Sequence, residues 1–203
     1  MGGVLLHGRG RSPEEKVDLA ARFGKSDGIR WVVPRAETGG SWYPNRFFDG
    51  VKANEPHLTR AVERCHAAVE EASEGGRLKP AQLVIAGFSQ GACLALEYAV
   101  RHPGRVGTLI VLTGALIGTP APGTRFEGLR VLLTGSDVDD WVPEQYVYDA
   151  ARVLSELGAE VRLRMYPGRP HIVNEEEIVE ARAMLADRLA GCRTATVRGG
   201  RSA

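Results

Sequence analysis

The sequence predicts an α/β protein: a minimal, mostly parallel sheet of about six strands with helices on both faces. Three observations carry this. Six short apolar runs alternate for the most part with segments of helical period. Most of the runs are continuously apolar, as in strands covered on both faces, and lack the in-out alternation of a sheet with one wet side. Finally, 25 glycines and 11 prolines in 203 residues supply the many tight turns such a series needs. A single domain is expected, because two self-sufficient cores would have to share roughly 200 positions.

Gly2–Leu6 reads as the first strand, ended by His7-Gly8-Arg9-Gly10. Ser12-Pro13-Glu14-Glu15 is a capped helix start, and Val17, Leu19, Ala20 and Phe23 supply its apolar face. Ile29–Val33 is a second strand, closed by Pro34. The stretch from Arg35 to Glu55 has no period and holds Trp42, Tyr43, Phe47 and Phe48; loops this long are uncommon unless functional. Leu58, Val62, Cys65, Val69 and Ala72 then mark a helix over 56–72.

Gln82–Ala86 is a third strand, and the almost wholly apolar Ala92–Val100 a buried helix. Val106–Leu112, Leu129–Leu133 and Val161–Tyr166 are three further strands. The connection between the first two of these is rich in Gly and Pro, without an obvious helix. An amphipathic helix spans Glu144 to Leu157, stopped by Gly158, and a last one starts at Glu175 and ends near Leu189. Residues 1–191 are expected to form the domain, and 192–203, without periodicity, a flexible tail.

Composition excludes several functions. Twenty-six basic against 25 acidic residues leave a formal charge of +1, with no block of five like charges, which argues against a nucleic-acid binder or a partner in an anionic membrane surface. No apolar run approaches the ~20 residues of a bilayer span, and no signal peptide is visible, so no stable membrane association is expected. Cys65, Cys93 and Cys192 are widely spaced, which fits a reducing cytoplasm and neither a disulfide framework nor a zinc site. Composition sets no oligomeric state, and a homodimer stays open.

In such a fold the chemistry sits beyond the carboxyl ends of the strands. After the third strand stands Gly87-Phe88-Ser89-Gln90-Gly91, a G-x-S-x-G between an apolar strand and a buried helix. The glycines permit a turn that pushes Ser89 out of the sheet as a nucleophile; the alternative is a glycine turn with a capping serine. A serine hydroxyl needs a base. His57, His66 and His102 fall at or within helices, and His7 precedes Ser89 in a glycine turn. His171, in the loop after the last strand, fits the order Ser…Asp…His.

The carboxylate is expected after the fifth strand, where Asp137, Asp139 and Asp140 all qualify and spacing does not choose. An oxyanion hole would take the N–H of Gln90 and one from the loop after the first strand, best supplied by Arg9. Neither phosphate-binding glycine motif is completed, so a nucleotide site is not expected.

These motifs, together with Trp42-Tyr43-Pro44, Asn54-Glu55-Pro56, Asp139-Asp140-Trp141-Val142-Pro143 and Tyr166-Pro167-Gly168 followed by His171, resemble the phospholipase/carboxylesterase family of small α/β-hydrolases. The resemblance runs from about residue 4 to residue 190. It implies the α/β-hydrolase fold, ester or thioester hydrolysis without cofactor or metal, and an open cleft lacking a large lid. Its D-x-x-[VI]-P pattern implies Asp139 as the triad acid. Three features depart from the pattern: the leading strands usual before the His-Gly strand are missing, Asp140 stands where Pro is common, and Arg169-Pro170 replaces small or apolar residues.

Ser89, His171 and Asp139 are therefore the expected catalytic residues, with Arg9 and Gln90 at the oxyanion. Trp42, Tyr43 and Phe47 either wall the substrate pocket or pin the long loop as a small local core, a mixture being expected with Trp42 nearest the pocket, and Trp141 is expected to line the same cleft. Arg169 either adds positive charge there or points into water. The expected reaction is hydrolysis of short- to medium-chain carboxylic esters of small molecules. An acyl thioesterase and a slow-turnover receptor of the same fold are the rival readings.

Overall fold

The structure, a computed structural model, describes residues 1–10, 19, 21–23, 28–37 and 39–199, with side chains as far as 192. Six strands form one sheet: β1 (Gly2–Leu6), β2 (Arg30–Val32), β3 (Leu83–Phe88), β4 (Thr108–Leu112), β5 (Arg130–Gly135) and β6 (Glu160–Met165). Their order is β2-β1-β3-β4-β5-β6 and every pair is parallel. Four long helices are described: α1 (His57–Ala72), α2 (Gln90–Arg101), α3 (Glu144–Glu156) and α4 (Glu175–Gly199).

The continuous apolar runs are explained by burial on both faces. Every residue of β1, β3 and β4 is buried, whereas edge strand β6 exposes Glu160 and Arg164. Alternate side chains point to opposite faces. Val4, Leu6, Ile85, Leu109, Val111, Val131 and Leu133 pack with α1, α2 and α3. Leu5, Val84, Ala86, Ile110, Leu112 and Leu132 pack instead with Phe23 and with Ile178, Ala181, Met184 and Leu185 of α4. Truncating one of these buried leucines to alanine typically costs about 2–5 kcal/mol.

Strand order decides where a site can form. The chain begins in β1, runs outward to β2, then crosses back to β3 on the other side of β1. The carboxyl ends of β1 and β3 therefore flank the point at which the winding reverses, where α/β sheets leave a crevice. Leu6 pairs with Gly87, so the His7–Gly10 turn stands beside Phe88, Ser89 and Gln90.

One expectation meets a different outcome. The last helix does not end near Leu189 but continues through Gly199. Residues 193–198 contain neither Gly nor Pro, so nothing local interrupts the backbone ladder although the apolar period is gone. Most of the helix expected from Ser12 lies outside the described residues; Leu19, Ala21 and Arg22 are helical, and Phe23 is buried in the second core layer. Among the described residues no helix is long and apolar enough to cross a membrane.

Candidate active site

Both glycines of G-x-S-x-G are sterically required. A Cβ on Gly87 would sit 2.5 Å from the Gly91 carbonyl, and a Cβ on Gly91 would sit 2.3 Å from the Leu6 carbonyl oxygen and 2.6 Å from that of His7. These contacts bring the start of α2 hard against the end of β1. Between them Ser89 has φ 54° and ψ −119°, a left-handed conformation that a non-glycine residue holds only when its surroundings over-determine it. Ser89 stands at the N-cap position of α2, but its hydroxyl makes no capping bond to the helix.

The hydroxyl instead meets a histidine. Ser89 Oγ lies 2.8 Å from His171 Nε2, and His171 Nδ1 lies 2.7 Å from Asp139 Oδ2. Asp139 is 4 % exposed, and its other oxygen accepts the Trp141 and Val142 main-chain N–H groups, each at 2.9 Å. Burial pushes this carboxyl up, but the bonds from His171, Val142 and Trp141 outweigh it and hold the acid below its usual value. An ionised carboxylate only accepts, so Nδ1 carries the imidazole proton and Nε2 is left to accept from the serine. The Phe88 ring packs 5.0 Å from the imidazole on one side and Trp141 6.2 Å away on another.

The long loop closes the other side. Gln90 holds it with its side chain: Nε2 donates to the Tyr43 carbonyl at 2.7 Å, and Oε1 accepts the Trp42 N–H at 3.0 Å. Fully buried Asn54 accepts the Asn45 N–H and donates to the Arg46 and Gly50 carbonyls. The loop so fixed leaves a cleft of about 520 Å³ that Ser89 and Gln90 share with Arg9, Tyr43, Arg46, Cys93 and Trp141. Among the described residues neither the Arg9 nor the Gln90 main-chain N–H has an acceptor. No group of three or more His, Cys, Asp or Glu side chains among them is placed to hold a metal ion.

Residues 4–188 match the phospholipase/carboxylesterase family. The chain belongs to that family. Among curated proteins it is 25% identical to a probable carboxylesterase SOBER1-like protein of Arabidopsis thaliana, over 92% of this chain and 78% of the relative. It is 24% identical to acyl-protein thioesterase 1 of Gibberella zeae, over 92% and 89% respectively. Among solved structures, a phospholipase/carboxylesterase from Dyadobacter fermentans superposes with a TM-score of 0.81 at 34% identity, covering 90% of this chain and 88% of that one. The protein is thus an α/β-hydrolase, a hydrolase of the carboxylesterase and acyl-thioesterase type.

Within this family member, several residues sit where the sequence did not put them. Trp42, expected nearest the pocket, is buried behind it: its indole N–H donates to the His7 carbonyl at 2.8 Å and its ring lies 4.6 Å from that of His7. Tyr43 and Trp141 do line the cleft. Arg169 neither lines the cleft nor points into water. It is 6 % exposed, donates to Thr113 Oγ1 at 2.7 Å and to the Ile172 carbonyl, and pairs with buried Glu177 at 3.1 Å. Asp137 accepts the Gly168 N–H at 2.7 Å, so it braces the loop that carries His171, and Asp140 is exposed.

His7 is a loop brace: the Ala36 N–H donates to Nε2 at 3.2 Å, which leaves Nδ1 to donate to the Gly8 carbonyl at 2.7 Å. Cys93 does border the cleft, but burial pushes its thiol up to about 12, far from a nucleophilic thiolate. Arg46, Asn45 and Asp49 line the cleft without having been singled out. Their one sequence signal was membership of a long loop rich in aromatic residues.

Proposed function

We propose that the protein is a serine carboxylesterase acting on short- to medium-chain esters of small molecules through a Ser89–His171–Asp139 triad. The hydrogen-bonded chain from Asp139 to Ser89, opening into the cleft, is the observation that carries this reading. Ser89 Oγ forms a bond to the acyl carbonyl carbon as its proton passes to His171 Nε2. The N–H groups of Arg9 and Gln90, neither with an acceptor among the described residues, receive the oxyanion, and Tyr43, Trp141 and the neighbouring loop residues flank the bound ester. The carbon–oxygen bond to the alcohol breaks, and the alcohol leaves with the proton from Nε2. Water then adds to the acyl-enzyme, gives its proton to Nε2, and the acid is released as Ser89 recovers the proton. Asp139 keeps Nδ1 protonated and stabilises the imidazolium.

A thioester shares every step but the leaving atom, and the likeness to an acyl-protein thioesterase favours it as the second reading. A reducing cytoplasm suits the widely spaced Cys65, Cys93 and Cys192. A panel of p-nitrophenyl esters and matched acyl thioesters, run with wild type and Ser89→Ala, tests the proposal. Ester turnover abolished by Ser89→Ala supports it; faster thioester cleavage at equal chain length selects the second reading. Covalent labelling by a fluorophosphonate without turnover would instead identify a receptor.

A further inference from the structure

The cleft beside Ser89 carries two guanidinium groups and one carboxylate, those of Arg9, Arg46 and Asp49. Asp49 opposes neither cation: its Oδ2 accepts the Arg46 main-chain N–H at 2.9 Å and closes a short 3-10 turn. Among the described residues neither guanidinium has a carboxylate partner, although ten other arginines do. Among the described residues, then, no carboxylate pairs with the positive charge of this cleft.

The two arginines differ in what they have left to offer. Arg9 spends both terminal nitrogens on the Pro44 and Asn45 carbonyls, at 2.7 and 2.6 Å. Among the described residues the Arg46 guanidinium makes one hydrogen bond, to the Asp140 carbonyl at 3.3 Å, and keeps most of its five donors. Its guanidinium carbon lies 5.0 Å from the Trp141 ring centroid and 5.3 Å from that of Phe48. Aromatic faces hold a cation in position without cancelling its charge, so Arg46 is a fixed donor fork and not a freely waving side chain. Trp141 ties it to the reaction centre, since the same indole packs near His171.

We propose that Arg46 anchors an anion subsite, and that the preferred substrate is an ester bearing a carboxylate or phosphate on a part that does not react. This rests on the hydrolase reading above. A neutral alkyl chain laid along this wall would strip water from a guanidinium and return nothing, whereas an oxyanion accepts two parallel N–H bonds from it. The anion sits either in the acyl part or in the leaving alcohol, with Arg9 adding to the positive field around it.

Two substrate pairs separate these sources. p-Nitrophenyl hemiadipate against p-nitrophenyl hexanoate carries the charge on the acyl part; 4-carboxyphenyl acetate against 4-carboxamidophenyl acetate carries it on the leaving group. The anionic-to-neutral ratio of kcat/KM is expected to fall about tenfold in Arg46→Gln in one arm, mainly through KM, and to be partly retained in Arg46→Lys. The same ratio in wild type is expected to decline with added salt. A ratio that Arg46→Gln leaves unaltered in both arms overturns the subsite. Adipate binding followed by tryptophan fluorescence reads the subsite without turnover: saturable binding weakened in Arg46→Gln supports it, and binding indifferent to Arg46 overturns it. Should none of the four esters be cleaved above the Ser89→Ala background while that binding persists, the hydrolase reading fails and the subsite stands.

Discussion

Arg169 and Glu177 form an ion pair of 3.1 Å in which the two side chains are 5 % and 0 % exposed. Glu177 also accepts from Thr134 Oγ1 and from the Asn174 N–H, while its own N–H donates to Asn174 Oδ1, a reciprocal cap at the start of α4. The pair thus joins the loop that presents His171 to β4, β5 and the last helix. Desolvation raises the Glu177 carboxyl against the hydrogen bond from Thr134 and the charge of Arg169. Removing Arg169 would leave that carboxyl buried without its cation. Arg169→Met is expected to lose about 3–5 kcal/mol in urea denaturation. Arg169→Met/Glu177→Gln should recover part of the loss, and additive single effects would show that the pair is not coupled.

The three aspartates after β5 are expected to separate cleanly in kinetics. Asp139→Asn deprives His171 of its ionised partner and should lower kcat by about 10⁴, the scale of other serine hydrolase triads. Asp137→Asn weakens the bond that pins Gly168 and should reduce kcat far less; Asp140→Asn should be nearly silent. An Asp139→Asn enzyme with near wild-type kcat would remove Asp139 from the triad.

Gly91→Ala is expected to be among the most damaging single-atom additions in the chain. Its methyl would meet main-chain carbonyls of Leu6 and His7, which have no rotamer to escape into. A loss above about 3 kcal/mol follows from overpacking against backbone. Thermal denaturation together with Ser89 labelling would measure it; wild-type stability would mean that α2 can retreat from β1.

Asp139 also predicts a pH dependence. Its folded pKa is lowered, so its contribution to stability is fully present above the unfolded value, about 4, and is lost as pH falls through the lower folded value. The stability gap between wild type and Asp139→Asn should be widest near neutral pH and close below about pH 4. Urea midpoints across that range provide the check, and a constant gap would contradict the sign.

Much of the fold is legible in the sequence. β1 ends at Leu6 as its apolar run does, because a strand buried on both faces has no polar residue to blur its limits. Ser89, Asp139 and His171 each follow a strand, and all three meet in one hydrogen-bonded chain because parallel strands deliver their ends to one side of the sheet. The choice among Asp137, Asp139 and Asp140 was not in the spacing. It depends on which side chain the turn aims inward, and only Asp139 is both buried and in contact with the imidazole.

The sequence by itself determined the α/β class, the run of strands and helices, and the motif glycines and serine of the turn. These follow from local rules: apolar period, turn chemistry and chain order. The tertiary structure alone decided what the loops do. It turned Arg169 inward onto Glu177, set Trp42 behind the cleft wall, and left Arg46 between two aromatic rings at its mouth. A loop has no period to fix the direction of its side chains. That direction is set by partners distant in sequence, such as Gln90 for Tyr43 and Asp140 for Arg46, which meet only once the sheet has formed.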